Sequence, residues 1–356
     1  MKKTLNKTKI ADFATYIGVV IAFIVMNALM NEGLLTRSMK GQLVPICCYI
    51  VMAVSLNLTV GILGELSLGH AGFMSVGAFT GVVTAMSLQS AIPSDGVRLA
   101  LAIVMGAIFA GIAGTLVGIP VLRLHGDYLA IVTLAFGEII KELINCLIIG
   151  YDENGLHIIF NATGAKTVTD LGLTETGKVL IKGAQGATGT DTIASFTAGF
   201  ILIMVTLVVV LNLVRSRSGR AIMALRDNRI AAESVGINVT KYKLMAFVTS
   251  AALAGGAGAL YGLNFSNLVS SKFDFNTSIL ILVFVVLGGL GNMWGSIIAA
   301  AVLTVLPEAL RGFADYRMLI YAIVLIVVML ATNSPQMKAL LSKLVPFGKK
   351  GEKEHA

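Results

Sequence analysis

The sequence predicts an all-α polytopic membrane protein with nine or ten transmembrane helices, some of them broken at glycines. Hydrophobic residues make up 56% of the 356 residues and charged residues 13%, whereas a soluble domain has about 45–50% and about 25%. Apolar runs of about 20 residues, enough to cross a bilayer, recur along the chain. This composition excludes a soluble enzyme, a disordered tail and an extracellular disulfide scaffold.

The apolar runs divide the chain into a short N-terminus (1–11), a transmembrane domain (12–332) and a basic tail (333–356). The first run follows four lysines, as in a signal peptide, but its length and the lack of an Ala-x-Ala cleavage site favour a retained helix. The runs lie at 12–30, 43–63, 65–86, 98–119, 128–150, 193–214, 244–263, 277–306 and 316–332.

Loop charges predict how the chain sits in the membrane. The 215–243 loop carries seven basic residues and two acidic ones, so the positive-inside rule places it in the cytoplasm. The N-terminus and the tail are lysine-rich and should be cytoplasmic as well. Topology therefore explains the net charge of +8 better than nucleic-acid binding does.

The number of spans after the basic loop must be even if the tail is cytoplasmic, yet only three apolar blocks follow it. We therefore expect 277–306 to be two short helices broken at Gly288–Asn292, which gives ten membrane segments. Non-helical backbone is tolerated at this depth only within protein or beside a water-filled cavity. The 151–192 loop then lies outside the cell, as a docking surface, a small cap or a solvated loop, too short and polar for a core of its own.

Two glycine-rich segments are candidates for the translocation pathway. The first, Gly61–Gly72, holds four glycines, a carboxylate and an imidazole, and the second is the break near residue 290. Transporters use discontinuous helices to present backbone groups to a substrate, and a charge at this depth needs a cavity or a partner. The similar Gly-x-Leu-Gly texture hints at two related halves. The candidate pathway residues are Glu65, Ser67, Gly69, His70, Gly72, Glu138, Gly288, Gly289 and Gly291.

Each candidate also has a structural interpretation. Glu65 can sit at the membrane surface, and His70 can satisfy a neighbouring backbone carbonyl. Glu138 and Glu142 flank Lys141 at helical spacing, so these charges can neutralise one another on one helix face. Alternatively, a carboxylate here would suit a proton-coupled carrier.

The chain carries no convincing nucleotide or metal motif. Gly172–Val179 resembles a phosphate-binding loop, but Val179 stands where a hydroxyl would bind magnesium, and no buried strand precedes it. The three cysteines lie in apolar runs without metal-ligand spacing. We expect no catalytic residue and no cofactor or metal on this chain.

The 218–238 segment predicts a short amphipathic helix that ends at Gly236. Such a helix can lie on the membrane or dock in a partner's groove. One face would carry Ala221, Leu225, Ala232 and Val235, and another Arg226, Arg229 and Glu233.

The 218–262 stretch as a whole resembles the LivM-type permeases of branched-chain amino acid ABC importers. Leu66–Gly72, Gly126–Leu134 with Gly137-Glu138, and Leu306-Pro307-Glu308 match in the same order. The chain departs from the family at Lys182–Gly189, where the family tends to have Thr-Gly-Gly-x-x-Gly.

The resemblance implies a permease subunit of the bacterial cytoplasmic membrane, not an enzyme, paired with a LivH-type second permease in a heterodimer. Two cytoplasmic ATPase subunits would bind ATP and magnesium, and an extracytoplasmic binding protein would deliver leucine, isoleucine or valine. The lipid bilayer is the remaining partner. The implied ATPase-coupling residues are Arg220, Arg226, Asp227, Ala231, Ala232, Glu233 and Gly236.

Two alternatives stay open. The same machine could carry urea, another amino acid or a small sugar, or the chain could be an ion-coupled carrier that works through Glu138 and Glu65.

Overall fold

A computed structural model describes residues 2–310, except 34–35, 125, 153–154, 162–167 and 174–176, and also residues 319, 322, 323 and 326. Five of the described helices are long and apolar enough to cross a membrane, and two further apolar helices are shorter. The chain is therefore a multi-span, predominantly helical membrane protein, as the sequence predicts. The chain divides into two compact units, residues 1–301 and 302–356; most of 316–332 and all of 333–356 lie outside the described residues.

Eleven α-helices are described. They are α1 (Lys2–Asn31), α2 (Arg37–Asn57), α3 (His70–Ser87), α4 (Asp95–Val121), α5 (Asp127–Asn145), α6 (Phe196–Arg215), α7 (Arg217–Asp227), α8 (Arg229–Ser234), α9 (Val239–Gly262), α10 (Phe275–Gly288) and α11 (Met293–Ala309). A π-helical segment, Leu58–Leu63, continues α2 without a gap.

Side-chain caps fix where several of these helices begin. A Ser, Asn or Asp just before the first turn accepts a hydrogen bond from a backbone N–H that has no partner inside the helix. The capping residues are Ser195 for α6, Ser216 for α7, Asn228 for α8, Asn238 for α9 and Asp274 for α10.

The centre of the bundle is α9, which packs closely against α3 and α4. Helices in lipid associate through close contact of small residues, and here glycines permit that contact. A Cβ added at Gly77 of α3 would lie 2.0 Å from the carbonyl oxygen of Gly255 in α9. A Cβ at Gly114 of α4 would lie 2.6 Å from that of Ala251. We call this α3–α4–α9 contact the glycine seam.

Four strands from the residues between α5 and α6 in the chain form an antiparallel sheet. Its fifth strand comes from the residues after α9. Its order is β2-β1-β3-β4-β5, and Ile148 and Ile181 are buried in it. The strands are β1 (Leu147–Asp152), β2 (Gly155–Phe160), β3 (Lys178–Lys182), β4 (Ala187–Thr188) and β5 (Asn267–Leu268).

This sheet differs from the sequence-based expectation. The apolar run at 128–150 is helical only to Asn145, because Leu147–Asp152 pairs with both β2 and β3. The loop thus builds a small apolar layer, where the sequence predicted none.

The sheet and the short helices α7 and α8 mark opposite ends of the bundle. The twenty residues of α6 run from the sheet to α7, a distance of about 30 Å along a helix. We call these ends the sheet end and the short-helix end.

Two apolar runs are interrupted. The run at 277–306 consists of α10 and α11 separated at Gly289–Asn292, which confirms the predicted pair of short helices. The run predicted to begin at residue 65 is helical only from His70. Gly64 ends the π-helical segment with a φ of 81°, a left-handed conformation that glycine adopts without strain.

Candidate functional site

The first interruption, residues 64–69, is held by side chains of neighbouring helices. The backbone N–H of Leu68 donates to Oγ1 of Thr133 in α5 at 3.0 Å. The N–H of Ala71 donates to Oγ of Ser278 in α10 at 3.2 Å. Backbone polar groups in a membrane need partners. The Thr133 hydroxyl supplies one inside the non-helical segment, and the Ser278 hydroxyl supplies one in the first turn of α3.

Gly69 and Gly72, both predicted pathway residues, lie against the backbone of α5. A Cβ at Gly69 would stand 2.1 Å from the Thr133 carbonyl oxygen, and one at Gly72 would stand 2.8 Å from Cα of Gly137. These two glycines are therefore positions of close helix contact.

The second interruption, Gly289–Asn292, is hydrogen-bonded by Asn57, which was not among the predicted pathway residues. Asn57 is fully buried, and its Oδ1 accepts from the N–H of Gly291 at 2.8 Å. Its Nδ2 donates to Oγ of Ser296 at 2.9 Å and to the carbonyl oxygen of Asn292 at 3.2 Å. The signal was present in the sequence, since a carboxamide deep inside the 43–63 run needs partners.

The π-helical segment that leads into the first interruption meets the second interruption through Gly61 and Gly291. A Cβ at Gly61 would lie 2.2 Å from the Gly291 nitrogen and 1.9 Å from Oδ1 of Asn57. Gly288, the last residue of α10, also has no room for a side chain, because a Cβ there would lie 2.3 Å from the Ser296 nitrogen. Gly289 and Gly291 both adopt positive φ angles. The segments with similar Gly-x-Leu-Gly texture are thus in contact.

Glu65 forms an ion pair with Lys243 of α9. The Lys243 side chain is only 4% exposed and that of Glu65 is 17% exposed. Glu65 is therefore largely enclosed, and its charge is neutralised by a lysine from another helix. From the sequence alone, Lys243 is only one of the basic charges of the 215–243 loop.

Glu138 pairs with Lys141 one turn along α5, as the spacing predicts. Its other oxygen, Oε1, accepts from the N–H of Phe275 at 3.2 Å, which joins α5 to the start of α10. Burial acts to raise the pKa of Asp274 beside this cluster. Hydrogen bonds from Thr277 and Asn276, together with the nearby Lys141 charge, outweigh that effect and lower the pKa.

His70 and Ser67 are both buried, but their surroundings differ. Nε2 of His70 lies 2.8 Å from Oγ of Ser55 in α2, so its partner is a hydroxyl and not the backbone carbonyl suggested by the sequence. Oγ of Ser67 has no hydrogen-bond partner among the described residues.

The basic loop forms two helices, not the single amphipathic helix that was predicted. The backbone of Asn228 is extended, and its side chain accepts from the N–H of Ala231 at 3.0 Å to start α8. The predicted end of the segment is confirmed, because Gly236 follows α8 with a φ of 85°.

The faces of this α7–α8 segment are partly as predicted. Leu225 and Ala232 are buried, but Val235 is 75% exposed. Ile230 is 81% exposed. The break at Asn228 changes the direction of the chain, so one helical wheel does not describe both halves. Of the candidate coupling residues, Ala232 is buried, and the exposed ones are Arg220, Arg226, Asp227, Ala231, Glu233 and Gly236, of which Arg226 also reaches into the bundle.

Arg226 connects this segment to the first interruption. Its Nη1 donates to the carbonyl oxygen of Gly61 at 3.0 Å, and the same guanidinium pairs with Asp227 at 3.3 Å. One side of α7–α8 thus contacts the π-helical segment and Gly64 at the start of the first interruption, while apolar and charged side chains on its other side remain uncovered.

Comparison with known proteins shows the family to which the chain belongs. A family described as branched-chain amino acid transport system / permease component matches residues 38–330. The high-affinity branched-chain amino acid transport system permease protein LivM of Escherichia coli is 35% identical over 293 residues, which is 79% of this chain and 66% of that protein. The chain thus spans just under two thirds of that relative.

Two further relatives are similar at lower identity or coverage. The permease protein LivH of the high-affinity branched-chain amino acid system of Salmonella typhimurium is 22% identical over 289 residues, 79% of this chain and 88% of that protein. The ribose import permease protein RbsC of Haemophilus influenzae is 32% identical over 123 residues, 32% of this chain and 38% of that protein. No solved structure matches the chain.

Proposed function

Because the chain belongs to the family of branched-chain amino acid transport system permease components, we propose that it is a transmembrane permease subunit of an ABC importer for leucine, isoleucine or valine. The observation that carries this proposal is the α7–α8 segment, with one side on the interrupted helices and uncovered apolar residues on the other. In an ABC importer whose ATPases are separate subunits, the permease receives work through a protein contact of this kind.

The partners follow from this division of labour. Two ATPase subunits bind ATP and magnesium and dock at the short-helix end. A second permease subunit of the LivH type completes the pathway, and similarity of this chain to both LivM and LivH supports a pair of related subunits. An extracytoplasmic binding protein delivers the solute at the sheet end. We expect no cofactor and no nucleic acid on this chain.

The orientation follows from the same docking. The short-helix end, the N-terminus and the basic tail face the cytoplasm of a bacterial cell, and the sheet faces outward. The basic residues of the α7–α8 loop support this arrangement through the positive-inside rule.

Coupling requires that ATP-bound partners favour one conformation of the permease over another, because a ligand shifts an equilibrium only by its differential affinity for the two states. In this proposal, Arg220, Asp227, Ala231 and Glu233 belong to the face that docks with the ATPases, and Ala232 and Gly236 fix its shape. The interruptions around His70 and Gly291 are the elements that change.

A second cargo class is supported by one observation, the match to a ribose import permease over 123 residues. The same machine would then carry a sugar. An ion-coupled carrier has less support, because both of its candidate carboxylates, Glu65 and Glu138, are paired with lysines.

A mild-detergent pull-down of the tagged chain tests the proposed machine. A second permease and one or two ATPases should co-purify, and ATP hydrolysis should accompany them. Recovery of the chain alone, from membranes in which cross-linking before solubilisation also captures no partner, would contradict the proposal. If the partners co-purify, uptake competition among leucine, valine, urea and ribose identifies the cargo.

The docking face itself is tested by Glu233→Arg, which reverses one exposed charge between Ile230 and Val235. We expect normal insertion in the membrane but loss of the ATPases from the pull-down and of ATP-dependent uptake. Arg217→Gln, an exposed change at the start of α7, serves as the control. Normal uptake by the Glu233→Arg variant would remove this face from the docking site.

A further inference from the structure

We propose that Arg226 is the positioning residue through which a displacement of α7 moves both interruptions together. This inference rests on the proposed function, since it concerns how work done at α7–α8 reaches the pathway. It goes beyond the docking face because the Arg226 guanidinium, although partly exposed, donates into the bundle at the Gly61 carbonyl oxygen.

The first step is the contact between Arg226 and the π-helical segment that follows α2. The guanidinium donates to the carbonyl oxygen of Gly61 inside the π-helical segment, and a hydrogen bond from a charged donor is stronger than a neutral one. The stem of the side chain lies over Gly64, where an added Cβ would stand 2.7 Å from Cγ of Arg226. Arg226 therefore holds the short stretch at which α2 ends.

The second step joins that stretch to the other interruption. Gly61 lies against Gly291, leaving no room for a side chain between their backbones. Asn57 accepts from the Gly291 N–H and donates to Ser296 at the start of α11. Close-packed backbones with shared hydrogen bonds transmit displacement, so movement of Gly61 carries residues 291–296 with it.

The geometry explains why an arginine serves here. One guanidinium reaches both the Gly61 carbonyl and the Asp227 carboxylate, because its donors project in a fixed planar fork. A lysine is a point charge that would retain one of these contacts at a time. The Asp227 carboxylate keeps the guanidinium oriented, while Nη1 of the guanidinium donates to the carbonyl oxygen of Gly61.

The test measures solute uptake and ATP hydrolysis separately, in proteoliposomes that contain this chain with its co-purified partners. We expect Arg226→Gln to assemble normally and to hydrolyse ATP near the wild-type rate. Uptake per ATP should fall about tenfold, the effect of losing one charge-assisted hydrogen bond. The uptake per ATP of Arg226→Lys should lie between the values of wild type and Arg226→Gln. Arg217→Gln removes the same charge from the same helix, and its uptake per ATP should match wild type.

A second variant keeps the inference falsifiable if Arg226→Gln assembles poorly. Asn57→Ala removes the onward link without touching α7, and it should lower uptake per ATP in the same manner. Combining Asn57→Ala with Arg226→Lys should lower it no further than Asn57→Ala alone.

Two outcomes would overturn the inference. In the first, the Arg226 variants keep the wild-type uptake per ATP. In the second, hydrolysis and uptake fall in parallel with loss of the ATPases, which would make Arg226 a docking residue. Failure of the proposed function looks different, because the wild-type complex itself would then show no ATP-dependent uptake.

Discussion

Glycines lie inside continuous helices along the glycine seam, whereas at residues 64–69 and 288–292 they coincide with interruptions. At Gly77 the missing side chain only lets α3 approach α9. At Gly291 the backbone has a positive φ and its N–H is bonded by Asn57. The difference lies in the polar neighbours, because only the interruptions have side chains in place to satisfy a backbone that has left the helix.

This comparison assigns the two regions different roles. The glycine seam is held by many small van der Waals contacts and should behave as a rigid body. The interruptions depend on a few hydrogen bonds and one ion pair, so single substitutions there should have specific effects on transport.

The largest expected effect is at the ion pair that anchors the first interruption. Lys243→Met leaves the Glu65 carboxylate enclosed without its partner, so we expect a loss of about 3–5 kcal/mol in the free energy of unfolding. Thermal unfolding in detergent measures this loss. Lys241→Met changes an exposed lysine two residues earlier and should have little effect. The double variant Lys243→Met, Glu65→Gln should regain much of the stability. If Lys243→Met and Lys241→Met were equally stable, the result would contradict the pairing of Lys243 with Glu65.

A smaller effect is expected in the glycine seam. Gly77→Ala forces α3 away from Gly255, and overpacking of this kind costs about 1–3 kcal/mol. Gly96→Ala in α4, where an added Cβ meets nothing within 4 Å, is the matched control. The same thermal assay applies, and a Gly77→Ala protein as stable as the Gly96→Ala protein would show that the helices are not in close contact.

Much of this comparison could be predicted from the sequence, but only where the signal is local. The end of the segment at Gly236 and the Glu138–Lys141 pair follow from neighbouring residues, and the break near residue 290 follows from its local glycines once the count of spans requires a break. Asn228 illustrates the limit: its role as a cap competes with the helical pattern on both sides, so the sequence suggested one helix where two exist.

The remaining features depend on residues far apart in the chain. Thr188 in β4 pairs with Asn267 in β5, and a two-residue strand has no periodicity to detect. Glu65 meets Lys243, and Asn57 meets Gly291, only once the helices are packed. The composition could indicate that such buried polar groups need partners, but it could not select those partners.

The smallest expected effect is at Thr133, whose hydroxyl accepts from the Leu68 N–H in the first interruption. Thr133→Val should lower stability by about 1 kcal/mol and speed hydrogen exchange at the Leu68 amide. Thr115→Val, which removes a hydroxyl bonded only one turn back along α4, tests the loss of an ordinary intrahelical bond. Unchanged exchange at Leu68 would mean that this hydroxyl does not hold the interruption.

The central claim, that ATP hydrolysis on partner subunits drives this permease, is tested most directly by leucine uptake into proteoliposomes containing the purified complex and its binding protein. The account predicts uptake that requires ATP and continues when an uncoupler abolishes ion gradients. Uptake that proceeds without ATP and collapses with the uncoupler would contradict this mechanism. It would favour an ion-coupled carrier that works through Glu65 and Glu138.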